Sequence, residues 1–499
     1  MKMTAAGSYL AFDLGASGGR LMAGAFDGEK LSLREVHRFP NDPVKARGRF
    51  YWDALGLFRE MTLGLRKAKS LGIRPKSVGI DTWGVDYALF DRDKSLVGPP
   101  VFYRDSRTDG MKDEVAGLMP LREIYDRTGI QFMDFNTIFQ LRADMRFRPA
   151  VWESARKLLF MPDLFGFFLT GEMFNEYTIA STSQLLNAGE RALDAEILKK
   201  LDIPRELFAD MVLPGSIIGG VDREILSEAG FGADDVKFVA VGSHDTASAV
   251  AGTPFGRAGS GDTGGVFLSC GTWSLLGREA DAPIINGDTY ARNFTNEGGV
   301  NGKIRFLKNI NGLWIIQKLR ESKGGELGYG EIAQAARSAR AGGQASGQAN
   351  RQVNGQPDKR ADFRIDPNAP AFMAPGDMEK AVADYCEEHG QGRPSGLGEI
   401  ALAVYSGLTE EYRAQLESLE ELTGRAAPVI NMVGGGIRDE FLCELTASAT
   451  RRKIVAGPVE ASVLGNIAVQ MAAVGDIAGM DEGREIIGRS FERKEYEPN

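Results

Sequence analysis

The run Asp13-Leu14-Gly15-Ala16-Ser17-Gly18-Gly19-Arg20 ends an apolar stretch on an acid and follows it with a glycine-rich turn. Glycines let backbone N–H groups approach an anion closely, so such a turn can cradle phosphate, although it also reads as an ordinary hairpin turn. It lacks the Gly-Lys-Ser/Thr ending of a P-loop, and a strand follows where a dinucleotide fingerprint needs a helix. A second turn, Gly271-Thr272-Trp273-Ser274, repeats the arrangement with a hydroxyl in place of the acid. It reads either as a second clamp on the same polyphosphate or as a common Gly-Thr turn. Gly434-Gly435-Gly436 stands between the apolar VINMV and the helix-like DEFLCELTASAT. Three glycines there open space beside a helix N-terminus for a flat or anionic ligand, or simply make a flexible connection.

Asp245, in Gly242-Ser243-His244-Asp245-Thr246, follows an apolar strand and stands where a helix should begin. The helix dipole favours a carboxylate at that end. Asp245 is either the helix cap or, beside three phosphate-type turns, a general base. Gly79 to Tyr87 joins acids, hydroxyls and an aromatic in one strand–turn–strand, a mixture suited to gripping a polyol. Asp81 and Asp86 equally suit a turn, and Trp83 a core anchor. The three histidines, His37, His244 and His389, share no metal-ligand spacing, which argues against a histidine zinc site. Gly15 to Gly19 spells GxSxG, but a strand follows it where a lipase-type elbow needs a helix, so serine-hydrolase chemistry lacks its usual signature.

These residues must be held by a large scaffold. At 499 residues the chain exceeds one ordinary core, and two sizeable domains are expected. With 43% hydrophobic and 25% charged residues the composition is that of a soluble globular protein. A net charge of −9 without a long basic run argues against nucleic acid as a partner. No 18-residue apolar run suggests a membrane span, and Asp13 breaks the N-terminal apolar stretch in a way unlike a signal peptide. Three cysteines, Cys270, Cys386 and Cys443, form no CxxC pair and fit a reducing cytoplasm. Apolar patterning gives strand–turn–strand over Tyr9 to Phe26, Ser77 to Phe90 and Val266 to Gly277, with helical periodicity over Trp52 to Ser70. Val236 to Ala251 reads as a buried strand, ending at Gly242, and then a helix of small residues able to pack closely. The third hairpin echoes the first half a chain later, so the expected class is α/β with two related lobes, 1–250 and 251–499, the boundary marked by the restart near Thr263. Ala341 to Gln356, rich in Gly, Gln, Asn and Ser, is expected to be a mobile surface loop inserted in the second lobe.

Taken in order, DLGASGGR from Asp13, GIDTWGVDYALFD from Gly79, GSHDTASAV from Gly242, CGTWSLLG from Cys270 and VGGGIRDEFL from Val433 resemble the FGGY carbohydrate kinases over essentially the whole chain. LKNINGLWIIQ from Leu307 and AGPVEASVLGNI from Ala456 support the likeness. The resemblance implies two lobes of actin-like ATPase (ribonuclease H-like) fold with the active cleft between them. It implies ATP with Mg²⁺ as phosphoryl donor and a small ketose as acceptor. Residue by residue, Ala16, Ser17, Gly18, Gly19 and Arg20 resemble the first ATP-phosphate loop and Thr272 the second, while Gln317 and Gly435 resemble further ATP contacts. Gly84, His244, Asp245, Thr246 and Asn309 resemble sugar-holding positions, Asp245 the proton acceptor, and Asp13 an acid that helps hold Mg²⁺. Within the family the likeness is to members that phosphorylate L-rhamnulose at its 1-hydroxyl. The ATP motifs alone leave L-fuculose, D-xylulose or a related polyol open, and a nucleotide-driven chaperone of the actin-like fold is the reading from another class.

Overall fold

The computed structural model describes residues 7–232, 235–256, 265–347, 352–353, 356–357, 363–373 and 375–498. They form two compact units, each an α/β layer structure built from interleaved stretches of chain. The first unit takes Met1–Pro254, Glu279–Leu307 and Glu460–Glu492; the second takes Phe255–Arg278, Lys308–Val459 and Arg493–Asn499. A division at residue 250 therefore assigns to the second lobe two segments that pack with the first. The restart near Thr263 lies outside the described residues.

The first unit is organised by β1 (Gly7–Gly15), β2 (Gly18–Phe26), β3 (Leu31–Pro40), β4 (Ser77–Thr82), β5 (Ile217–Gly220) and β6 (Lys237–Val239), in the order β5-β6-β4-β1-β2-β3. β1 and β2 are the expected hairpin, with Ala16 and Ser17 as its two-residue loop, and β4 joins β1 in parallel. β1 and β4 are largely buried on both faces because helices cover both sides. β3, at the edge, alternates buried and exposed residues and carries charged ones outward. One face is covered by the helix Ala54–Ser70, which starts on the cap Asp53 and buries Leu57, Met61, Leu65 and Ala68 along one stripe. The helix Ala461–Ala473 packs Val463, Leu464, Ile467 and Met471 into a core with Tyr9, Ala11, Val239 and Val241. Its Gly465 meets Gly252, which follows the helix Asp245–Ala251, so closely that a Cβ on either would strike the backbone of the facing segment. Small residues at 245–251 thus serve close packing, as their sequence suggests.

Ser77 to Phe90 does contain two strands, but they do not pair with each other. Tyr87–Phe90 leaves the sheet and pairs with Lys157–Phe160 instead. Between them Val85 has φ of 68°, a left-handed conformation that is costly for a β-branched residue.

The second unit repeats the plan. β7 (Val266–Cys270) and β8 (Trp273–Ala280) form a hairpin, β9 (Val429–Val433) joins β7 in parallel, β10 (Lys453–Ala456) extends the sheet in parallel, and β11 (Lys494–Tyr496) closes it antiparallel. The hairpin-plus-parallel-strand arrangement is the one made by β2, β1 and β4, so the echo read in the sequence is an echo of topology. Within the stretch expected to be a loop, Ala341 to Gly347 complete the helix Tyr329–Gly347, and Gln352–Val353 pairs with Gln356–Pro357. Alanines and arginines running in from Ile332 carry the helix past the point where composition suggests an end. The remaining positions of that stretch lie outside the described residues. Among the described residues no helix is long and apolar enough to cross a membrane.

Candidate active site

In the first unit three aspartates converge. Asp13 lies two residues before the end of β1 and stands in register with Arg20 on β2 and with Asp81 on β4. The Arg20 guanidinium donates to Asp13 Oδ2 through Nη2 at 2.7 Å and Nε at 3.0 Å, and Nη1 lies 2.5 Å from Glu460 Oε2. Asp81 is fully buried; its Oδ2 accepts from Asn466 Nδ2 at 2.6 Å, while its Oδ1 has no hydrogen-bond partner. Burial, reinforced by the charge of Asp13, pushes the Asp81 carboxyl well above the usual carboxylate range, and Asp245 adds to the effect.

Asp245 is the first residue of the helix Asp245–Ala251 and not its cap; His244 occupies the cap position. The helix begins one residue earlier than a capping Asp245 would require, because the Thr178 hydroxyl oxygen accepts from the His244 N–H at 3.2 Å and holds the extended entry at His244. The Asp245 side chain is one-third exposed and accepts from Thr246 Oγ1 at 3.1 Å. Burial raises its pKa; His244 works against this and the charge of Asp13 adds to it. His244 Nε2 lies 3.5 Å from Asp245 Oδ1. A Cβ built on Gly84 would come within 3.3 Å of that same Nε2 and 3.5 Å of Thr182 Oγ1, so the glycine keeps the space beside His244 open. The first unit thus brings together Asp13, Arg20, Gly84, His244, Asp245 and Thr246.

The supporting groups carry no motif that sequence reading could have seen. Glu176, fully buried, accepts from the backbone of Thr178, Ile179 and Ser243 and from the Thr178 hydroxyl, so it ties the 243–244 turn to the segment before it. Burial pushes its carboxyl up to about 7. Asp86 accepts from Trp52, Trp83, Tyr103 and Gln140 at 2.6 to 3.2 Å, fixing the 84–86 turn, and burial raises it to about 6. Asp86 is a buried acceptor hub and no turn former, whereas Trp83, 5% exposed, is the core anchor its neighbours suggest. Arg305 and Glu297, from the hairpin Thr295–Gly298 and Ile304–Asn311, complete the surroundings of His244. A charged residue between Ile304 and Phe306, in the apolar opening of its strand, is the one available signal.

The phosphate-type turns have different local reasons. Ala16 and Ser17 form the loop tip, Ser17 exposed. Gly19 is required by packing, since a Cβ there would overlap the Phe39 ring. In the second unit Thr272 sits at the tip of the β7–β8 hairpin, its carbonyl accepting from the N–H groups of Gly312 and Trp314. Thr272 Oγ1 lies 3.5 Å from Gln317 Oε1, on the helix Trp314–Ser322. Gly434, with φ of 89°, and Gly436 both press on Cys270, where a Cβ would come within 2.8 Å of its carbonyl oxygen and 2.7 Å of its sulfur respectively. Gly435, between them, is exposed and faces open space. The second unit therefore gathers Thr272, Gln317 and Gly435 around one hairpin end. Asn309, half-buried on the strand Ile304–Asn311, also belongs to this unit.

Sequence profiles of the FGGY family of carbohydrate kinases match this chain twice, the N-terminal domain over residues 8–252 and the C-terminal domain over residues 266–474. The chain belongs to the FGGY family of carbohydrate kinases. Among similar proteins, the rhamnulokinase of Bacteroides thetaiotaomicron is 40% identical over 98% of this chain and 96% of its own, and that of Halalkalibacterium halodurans 38% identical over 98% of each. Solved structures share the fold of this FGGY kinase at low identity. A xylulose kinase from Lactobacillus acidophilus aligns over 99% of the chain and 94% of its own with a TM-score of 0.76 at 16% identity. A glycerol kinase from Plasmodium falciparum, solved with ADP, aligns over 99% of the chain and 94% of its own with a TM-score of 0.73 at 13% identity. The α/β two-domain architecture is that of the FGGY kinases, and the protein is a carbohydrate kinase; a kinase of this family uses ATP and a sugar.

Proposed function

We propose that this FGGY kinase transfers the γ-phosphoryl group of ATP to the 1-hydroxyl of L-rhamnulose, giving L-rhamnulose 1-phosphate and ADP. The observation that carries the assignment is the near full-length likeness, at 36–40% identity, to relatives named rhamnulokinase. Phosphoryl transfer passes through a loose transition state, so the protein contributes mainly positioning and charge neutralisation. Asp245 is the general base. Its partly buried carboxylate, raised in basicity by its surroundings, accepts the hydroxyl proton as the bond to phosphorus forms. Gly84, His244, Thr246 and Asn309 hold the ketose. Ala16 to Arg20, Thr272, Gln317 and Gly435 hold the nucleotide, Gly435 through backbone left open by its missing side chain.

The residues also fit Mg²⁺. Among the described residues no cluster of three His, Cys, Asp or Glu side chains could enclose a metal. Mg²⁺, however, is commonly held by one or two carboxylates together with substrate phosphates. Asp13, beside the buried and unpartnered Asp81 Oδ1, supplies such a carboxylate face. Asp13 would hold the ion, which when bound neutralises charge on the transferring phosphates. A reducing cytoplasm suits the enzyme, whose three cysteines are free and buried.

The test is ADP release across a sugar panel. L-Rhamnulose is expected to give the highest kcat/KM. Equal or better turnover of L-fuculose or D-xylulose overturns the substrate and leaves the kinase, whereas ADP release indifferent to every sugar would point to a nucleotide-driven chaperone.

A further inference from the structure

The hydrogen-bonding role of His244 depends on its tautomer, since either ring nitrogen can carry the proton of a neutral imidazole. The structure surrounds it with fixed charges. Arg305, fully buried, donates through Nε to the Gly298 carbonyl at 2.8 Å, which locks its plane. Its Nη1 lies 3.1 Å from Glu297 Oε2, and its Nη2 lies 3.1 Å from His244 Nδ1. Glu297 Oε2 is itself 3.3 Å from the same Nδ1. The two neighbours make opposite demands, because a carboxylate wants a proton on Nδ1 and a guanidinium wants a lone pair there.

The guanidinium prevails on geometry. Arginine remains charged and can only donate, so a proton on Nδ1 would set two N–H groups against each other at 3.1 Å. Glu297 makes no matching claim on the ring, because its Oε2, 3.3 Å from Nδ1 and 3.1 Å from Arg305 Nη1, accepts a hydrogen bond from neither and acts on both through charge alone. On the other side of the ring, Nε2 faces Asp245 Oδ1 at 3.5 Å and the space kept clear by Gly84.

We propose that Arg305, oriented by Glu297, is a positioning residue that holds His244 as the tautomer protonated on Nε2, so that His244 donates to a substrate oxygen beside Gly84. Two consequences follow for the reaction, and they rest on the assignment of this site to the sugar. His244 Nε2 already carries a proton and has no lone pair for the substrate hydroxyl, which leaves Asp245 as the group that accepts it. A sugar oxygen that can accept, a carbonyl or hydroxyl, is selected at that position over a group that can only donate.

The experiment uses the full-length enzyme with ¹⁵N-labelled histidine. The chain has only three histidines, so each ring is resolved, and His244→Gln assigns its signals by their loss. In the sugar-free enzyme at pH 8 the His244 ring is expected to show a protonated Nε2 and an unprotonated Nδ1. A proton on Nδ1 overturns the proposal whatever the activity. Arg305→Lys retains a charged donor and is expected to keep the tautomer. Arg305→Met combined with Glu297→Leu removes both charges together, and is expected to give mixed tautomers and a kcat/KM for sugar lower by about 10–100-fold, the scale seen when a group orienting a functional histidine is lost. A double variant that binds ATP normally but retains the parental tautomer and kcat/KM also refutes it. Because the spectra are taken without sugar, failure of the L-rhamnulose assignment and failure of this inference are read from different measurements.

Discussion

Replacing Asp245 with Asn tests the centre of the proposed mechanism, and the structure sets the size of both effects. The fold should tolerate it. Asp245 is not the helix cap, its carboxyl accepts one side-chain hydrogen bond from Thr246, and an amide oxygen can accept the same bond. Losing a negative charge from the first turn of a helix costs about 0.3–1 kcal/mol. Removing the repulsion between this carboxylate and Asp13 offsets part of that. The net change should stay within about 1 kcal/mol, a shift of a few degrees in Tm. The chemistry should not tolerate it. An amide cannot take up the proton of the sugar hydroxyl, and a positioned general base is worth ~10²–10⁴-fold, about 3–5 kcal/mol of barrier. The assay is coupled ADP release with L-rhamnulose, run beside thermal unfolding and a nucleotide titration. A variant that melts with the parent, binds ATP with the parent's affinity and turns over within a few-fold of it would refute Asp245 as the base and move the search to Asp81.

Three further outcomes are expected. Asp86 is raised to about 6 by burial, so its contribution to stability is fully present below its unfolded pKa near 4 and is lost as pH rises through 6. Between pH 5 and 7 urea unfolding should therefore show the parent losing about 1 kcal/mol relative to Asp86→Asn, which lacks the titration; parallel pH profiles would contradict this. Gly84→Ala places a methyl 3.3 Å from His244 Nε2 and should raise the sugar KM about tenfold with little change in Tm or ATP affinity. Gly435→Ala meets nothing within 4 Å and should weaken ATP binding in an otherwise parental fold, whereas Gly436→Ala, driven against Cys270 Sγ, should lower stability by about 1–3 kcal/mol. Unchanged ATP affinity in Gly435→Ala would remove that glycine from the nucleotide site.

Local chemistry was legible in the sequence wherever it coincided with a local conformation. The β1–β2 and β7–β8 hairpins, the helix from Ala54 and the strand-to-helix passage into Asp245 could be read because apolar runs and glycines mark them within a few residues. What failed was long-range. Tyr87–Phe90 looks like the return arm of a hairpin, and only the competing partner Lys157–Phe160 shows otherwise. Arg305 and His244 are 61 residues apart, and Asn466 and Asp81 are 385 apart, so no spacing rule connects them. Gly19 resembles a phosphate contact, and the Phe39 ring beside it, 20 residues on, adds a packing reason for a glycine there that no local pattern shows. The helix running to Gly347 was hidden by a glycine- and glutamine-rich composition that speaks for average tendencies and not for what precedes it.

The braided composition of the first unit bears on the order in which a ribosome can deliver it. β1 and β4 are completed by the helix Ala461–Ala473, where Gln470 bonds to Leu10 and Ser77 and Asn466 bonds to Asp81. Those contacts do not exist until more than nine-tenths of the 499 residues have been synthesised. Until then Tyr9, Ala11, Val239 and Val241, made early, wait with one apolar face of their sheet uncovered. The N-terminal stretch matched as a domain, 8–252, therefore lacks the helix that completes its own sheet. Its nascent form carries an open apolar sheet face, and transiently exposed surface of that kind is prone to aggregation.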